Sequence, residues 1–224
     1  MKIQGAIFDL DGTLVNSPTI WDVLWAEYGR RYCGGKPFVP DHDDEEKIHT
    51  TPLREGLAFI GQRYGLPADA DELFRVANEV FVDFYTNTLE AKPGAVELLE
   101  GLASRGVRIC MASASTRDII DLALTRCGIG KYFSRIFTCV EVGKDKRHPD
   151  IYLRAAEHLG TPKEETWVFE DAYTAVITAK RAGFHTVAIY EPVESKQREI
   201  EQITDVYVPQ GERFDCVLSY FDWA

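Results

Sequence analysis

The sequence predicts an α/β protein: a doubly wound, Rossmann-like parallel sheet core carrying an inserted all-helical domain. Three observations lead there. From residue 107 onward, short apolar runs alternate with helices of about three turns, the pattern of βαβ units. A further apolar run at 3–8 stands apart and stops at Asp9. Between the two, residues 17–89 show helical periodicity and no strand.

The elements follow in order. The run at 3–8 is a strand, with Gly12 breaking the chain just beyond it. In the insert, Trp21, Leu24, Trp25 and Tyr28 share one helix face, and Leu53, Leu57, Ile60 and Tyr64 a second. Leu73, Val76, Ala77, Val80 and Phe84 make a third. Candidate hinges bound the insert at 15–17 and at Lys92-Pro93-Gly94, so that it can rock over the sheet edge like a lid. Beyond them, 107–112 is a buried strand, and 116–126 a helix capped by Ser115 or Thr116 and stopped by Gly128. Strands at 135–139, 166–169, 186–190 and 205–208 then alternate with helices at 149–159, 172–182 and 195–202. A helix start at Pro149 and stops at Gly160 and Gly183 support these limits. The division is therefore 1–16 plus 90–224 for the core and 17–89 for the insert.

Charge narrows the function. The 224 residues hold 36 Asp+Glu against 25 Lys+Arg, a formal net charge of −11. A phosphate-backbone binder needs a basic face, so no nucleic-acid partner is expected. The same surplus disfavours anionic small molecules unless something cationic sits in the site. Five widely spaced cysteines, none in a C-x-x-C pair, encode neither a zinc knuckle nor a disulfide framework. Cys110 and Cys139 lie in apolar, strand-like runs and read as small hydrophobes. The first apolar stretch is too short and too soon acidic for a signal peptide, and no run approaches the ~18 apolar residues of a membrane span. A cytoplasmic protein without a membrane partner is the expectation.

Four clusters sit at predicted strand ends. Asp9-Leu10-Asp11-Gly12-Thr13 places two carboxylates one residue apart, where doubly wound sheets bind ligands. Ser113-Ala114-Ser115-Thr116 opens a helix with small hydroxyl residues and bare N–H groups, which suits a phosphate. Lys144-Asp145-Lys146 precedes Pro149-Asp150, and Glu170-Asp171 ends an apolar strand. Each has an ordinary explanation alone: a polar strand exit, an N-cap, solvated lysines, a capping pair. Together they gather Asp9, Asp11, Glu170, Asp171, a lysine and a hydroxyl on one sheet edge. Four carboxylates in one cleft cannot all ionise without a cation, which points to Mg²⁺ completed by water and substrate phosphate. Metal and lysine together make an acidic protein acceptable to phosphate.

These segments, DLDGT at 9–13, SAST at 113–116, Lys146 ahead of HPDIY and VFED at 168–171, resemble in order the four motifs of the haloacid dehalogenase superfamily. The helical insert is similar to the C1-type cap of the subgroup containing phosphoglycolate phosphatase and β-phosphoglucomutase. The resemblance implies Asp9 as nucleophile, forming an aspartyl-phosphate, and Asp11 as the acid and then the base. It implies Mg²⁺ between Asp9, the backbone carbonyl of Asp11 and Asp171, with Glu170 either ligating directly or standing behind the ligands. Ser113 and the Ala114 N–H would hold the transferring phosphoryl group, and Lys146 would neutralise charge between it and Asp9. The implied activity is a Mg²⁺-dependent phosphatase acting on a small phosphorylated metabolite, as a monomer or homodimer. The alternatives are a sugar-phosphate mutase of the β-phosphoglucomutase type and a non-catalytic phosphate-binding protein.

Departures from the family pattern sharpen this. Trp21 stands where the mutase has a cap histidine, which weighs against mutase activity, and Asp11 speaks against dehalogenases, which lack it. Arg147-His148 replaces a more usual small pair, and Ala175 a glycine. Lys36 and Lys47, the candidates for a Schiff base, read as solvated. The acidic run 41–46 reads as a solvated loop or helix start, and His49, His158 and His185 have no partners at ligand spacing.

Overall fold

The computed structural model describes residues 1–49 and 53–223, apart from the side chains of Glu46 and His49, so what was expected of those two lies outside the described residues. Strands β1 (Gly5–Phe8), β2 (Arg108–Ser113), β3 (Ile136–Thr138), β4 (Thr166–Glu170), β5 (His185–Ile189) and β6 (Val206–Val208) form one sheet in the order β3-β2-β1-β4-β5-β6. Every pairing is parallel. All residues of β1 and β4 are buried, which is why these strands read as continuous apolar runs rather than alternating ones. The two edge strands have only three residues each, too short to offer a long template for stray pairing.

The chain divides into two compact units, 1–17 with 89–224, and 18–88. The sheet unit carries α5 (Ala95–Ala103), α6 (Arg117–Cys127), α7 (Cys139–Val142), α8 (Asp150–Leu159), α9 (Tyr173–Arg181) and α10 (Gln197–Ile203). Its core on one face joins Ile7, Cys110 and Val168 to Ile151, Tyr152 and Phe184. Burial pushes the Cys110 thiol up to about 12, so it packs as an unreactive hydrophobe.

The helical unit holds α1 (Ile20–Tyr32), α2 (His42–His49), α3 (Leu53–Tyr64) and α4 (Ala70–Asp83). Its core is Leu24, Trp25, Tyr28, Ile60, Leu73 and Val76 with their neighbours, the residues whose spacing predicts the helix faces. The Tyr28 hydroxyl donates to the Leu73 carbonyl at 2.7 Å and so satisfies a buried polar atom.

One local expectation narrows and another changes. Of the two readings of the acidic run, loop or helix start, the structure takes the helix start, α2, but not as a merely solvated one: Glu45 accepts from the Trp25 indole at 2.7 Å, Asp44 from the Tyr64 hydroxyl at 2.8 Å, and Ile48 is buried. Ring donors from neighbouring helices and one apolar anchor order it, and sequence spacing shows neither. Cys139 does not continue a strand but opens α7, because Thr138 caps that helix through the Glu141 N–H at 3.1 Å.

Candidate active site

The strand order reverses between β1 and β4, the switch point at which open α/β sheets leave a crevice beyond their carboxyl ends. Phe8 lies level with Phe169 and with Met111, so Asp9 emerges beside Glu170 across that crevice. Ser113 ends β2 on the other flank of β1. Gly12 makes the turn after Asp11 at φ +77°, and a Cβ there would strike the Asp171 carboxylate. Only glycine meets both demands, the left-handed backbone and the close approach.

Asp9, Glu170 and Asp171 each offer a carboxylate oxygen within 4.8 Å of the other two. Asp9 and Glu170 are buried, and Asp171 is partly exposed. Lys146 bridges them: its Nζ lies 2.5 Å from Asp9 Oδ1 and 2.6 Å from Glu170 Oε1. Lys144, by contrast, is an exposed partner of Asp150 at 2.8 Å. The Asp11 carboxylate stands outside the trio and accepts from the Ser115 hydroxyl at 2.6 Å. Ser113 is buried and its Oγ accepts from the Ser115 N–H at 3.1 Å, while Ala114 is exposed at the turn.

Burial, offset only in part by Lys146 and reinforced by Glu170, Asp171 and Asp11, holds the Asp9 carboxyl well above its ordinary range. Burial and the Glu170 charge push Asp171 up to about 7, against the pull of Lys92 and a hydrogen bond from Thr13. Burial pulls the Lys146 ammonium down, but the charges of Asp9 and Glu170 win and hold it above the usual lysine range. Fully ionised, the trio would carry more negative charge than Lys146 offsets, which is why Asp9 and Asp171 hold their protons so tightly. An all-oxygen set of this kind fits a hard divalent cation, with Asp9 and Asp171 as the residues to hold it. Glu170 is already engaged through Oε1 by Lys146 and by the Tyr152 hydroxyl at 2.8 Å.

Three supporting groups escape the sequence reading. Thr13, the last residue of DLDGT, donates to Asp171 Oδ1 at 2.9 Å. Of the two cap candidates, Thr116 takes the N-cap of α6, and Ser115 serves Asp11, a role the sequence did not show. Tyr152 sits in the quoted HPDIY segment with no role assigned from sequence. All of these groups belong to the sheet unit.

The crevice gathers paired aspartates, a lysine and hydroxyls at the switch point, and a family model of haloacid dehalogenase-like hydrolases matches residues 6–189. The chain belongs to that family. It is 31% identical over 193 residues to the validoxylamine A 7′-phosphate phosphatase of Streptomyces hygroscopicus subsp. limoneus, covering 82% of this chain and 84% of the relative. It is 26% identical over 185 residues to a phosphorylated carbohydrates phosphatase of Thermotoga maritima, covering 83% and 84%. A solved structure from Thermotoga maritima, provisionally named a β-phosphoglucomutase, superposes with a TM-score of 0.83 at 25% identity, covering 97% of this chain and 99% of that one. Among the described residues no helix is long and apolar enough to cross a membrane.

Proposed function

We propose that the protein is a phosphatase that hydrolyses small phosphomonoesters through an aspartyl-phosphate on Asp9, with Mg²⁺ as its metal. The observation that carries the reading is Lys146 seated between Asp9 and Glu170, with Asp171 and Asp11 close by. A bound divalent cation supplies charge neutralisation for the phosphoryl oxygens as they transfer. The remaining work falls to the chain. An Asp9 oxygen attacks phosphorus as the P–O bond to the leaving group breaks, and Asp11 gives its proton to the departing alkoxide. Asp11, now a carboxylate, takes a proton from water, whose oxygen displaces Asp9 and releases inorganic phosphate. Ser115 holds Asp11 in place through its 2.6 Å hydrogen bond. Ser113 and the Ala114 N–H hold the phosphoryl group, and Lys146 offsets its charge beside Asp9.

Phosphorylated carbohydrates are the first substrates to try, because the Thermotoga maritima relative is named for them. The mutase alternative is not favoured: Trp21, where the mutase has its histidine, packs against Trp25 at 5.6 Å and Phe81 at 5.7 Å. The test is a panel of sugar phosphates, nucleotides and phosphoglycolate, assayed with and without Mg²⁺ for wild type and Asp9→Asn. Phosphate release that requires Mg²⁺ and Asp9 is expected. Metal-independent release, or phosphate moved within a sugar without release, would overturn the reading.

A further inference from the structure

We infer that Tyr152 is a positioning residue for this site: its hydroxyl fixes the Glu170 carboxylate, which in turn holds Lys146 against Asp9. The inference rests on the reading of Asp9 as nucleophile given above. Glu170 is buried at the end of β4, beside Asp9 and Asp171. Two like charges so near would drive its carboxylate away from them unless donors pin it. Both of its described donors converge on one oxygen, Oε1, with Tyr152 at 2.8 Å and Lys146 at 2.6 Å. Lys146 alone cannot set this geometry, because its flexible stem must also reach Asp9 Oδ1 at 2.5 Å. A rigid third party can.

Tyr152 has that rigidity. It lies near the start of α8, which follows Pro149, and it is fully buried in the sheet-unit core. Its ring packs edge-on against Phe184 at 6.4 Å, so core packing rather than a loop sets where the hydroxyl points. Packing alone would accept phenylalanine, and burying the hydroxyl costs free energy unless it is bonded. The Glu170 bond is the partner that offsets the cost. Burial and the Glu170 charge also hold the phenol well above its ordinary range, so it stays a donor. The relay Tyr152–Glu170–Lys146–Asp9 thus ties the nucleophile to the hydrophobic core.

Tyr152→Phe keeps the ring and removes the donor. Steady-state kinetics on the best substrate, inhibition by orthovanadate and thermal melting are measured for Tyr152→Phe, Asp9→Asn and Tyr28→Phe. Tyr28 supplies a control, because it also loses a buried hydroxyl bond, to a backbone carbonyl in the helical unit. For Tyr152→Phe, kcat is expected to fall about tenfold with KM within a factor of about two, and vanadate binding to weaken about as much as kcat falls. Tyr28→Phe is expected to melt lower with kcat intact. If Tyr152→Phe melts lower with unchanged kcat and vanadate affinity while Asp9→Asn is inactive, the hydroxyl is structural and the inference fails alone. If Asp9→Asn keeps its activity, the reading of the site itself has failed.

Discussion

Asp171 shows how closely single residues are fitted here. Its carboxylate accepts from Thr13 and leaves no room for a Cβ at Gly12, whose φ is +77°. Gly12→Ala therefore meets two penalties, backbone strain of about 1–3 kcal/mol and displacement of a proposed metal ligand. Lower thermal stability and a raised half-saturating Mg²⁺ concentration are expected together. A variant with wild-type metal dependence would show that the Asp171 position tolerates movement. The two aspartates of DLDGT and the acidic pair at the end of β4 are legible as chemistry because their residue types are costly at strand ends unless used. Thr13, Ser115 and Tyr152 are not, because a hydroxyl in a sequence carries no sign of which carboxylate it faces.

At the scale of elements, the segments that lead out of and back into the sheet unit form a short ribbon. The Asn16 N–H donates to the Glu90 carbonyl at 3.0 Å and the Lys92 N–H to the Leu14 carbonyl at 2.9 Å. Lys92 then anchors the ribbon behind β5, with Nζ 2.8 Å from Glu191 and 3.1 Å from the Tyr190 carbonyl. Both side chains are buried, so removing one charge strands the other. Glu191→Gln is expected to destabilise by about 3–5 kcal/mol, and the apolar pair Lys92→Met with Glu191→Leu to recover most of that. Chemical denaturation of the single and double variants measures it, and additive losses would count against a coupled pair. Lys92 reads from sequence only as part of a Pro-Gly hinge, since its partner lies 99 residues away. Local pattern gave the strands, and the helices of the sheet unit at 116–126, 149–159, 172–182 and 195–202, within a residue or two at their ends, and in the helical unit the faces of α1, α3 and α4. It left α5 unassigned and missed the side-chain anchors of α2, which reach from other helices, and the capping box that opens α7.

For the whole molecule, the formal charge of −11 is best understood through where the carboxylates lie. Asp9 and Asp171 bind protons more tightly folded than unfolded, so in metal-free protein their contribution is complete below the ordinary carboxylate range. It is lost as pH rises, for Asp171 through about 7. A divalent cation held by ionised Asp9 and Asp171, as proposed, would add stabilisation that grows over the same interval. The melting temperature gained on adding Mg²⁺ should therefore be larger at about pH 8 than at about pH 5. Equal gains at both values would count against binding at these carboxylates. A net acidic chain disfavours nucleic acid, whereas a cation at the proposed site, with Lys146, would make the crevice compatible with a phosphate ester.

The proposed mechanism places a covalent phosphate on Asp9. Rapid acid quench during turnover, followed by mass spectrometry of the peptide containing Asp9, tests it directly. The expected result is one phosphoryl group on Asp9 during turnover and none in Asp9→Asn, which releases no phosphate. Turnover at the wild-type rate by Asp9→Asn, or phosphate carried on any other residue, would contradict it.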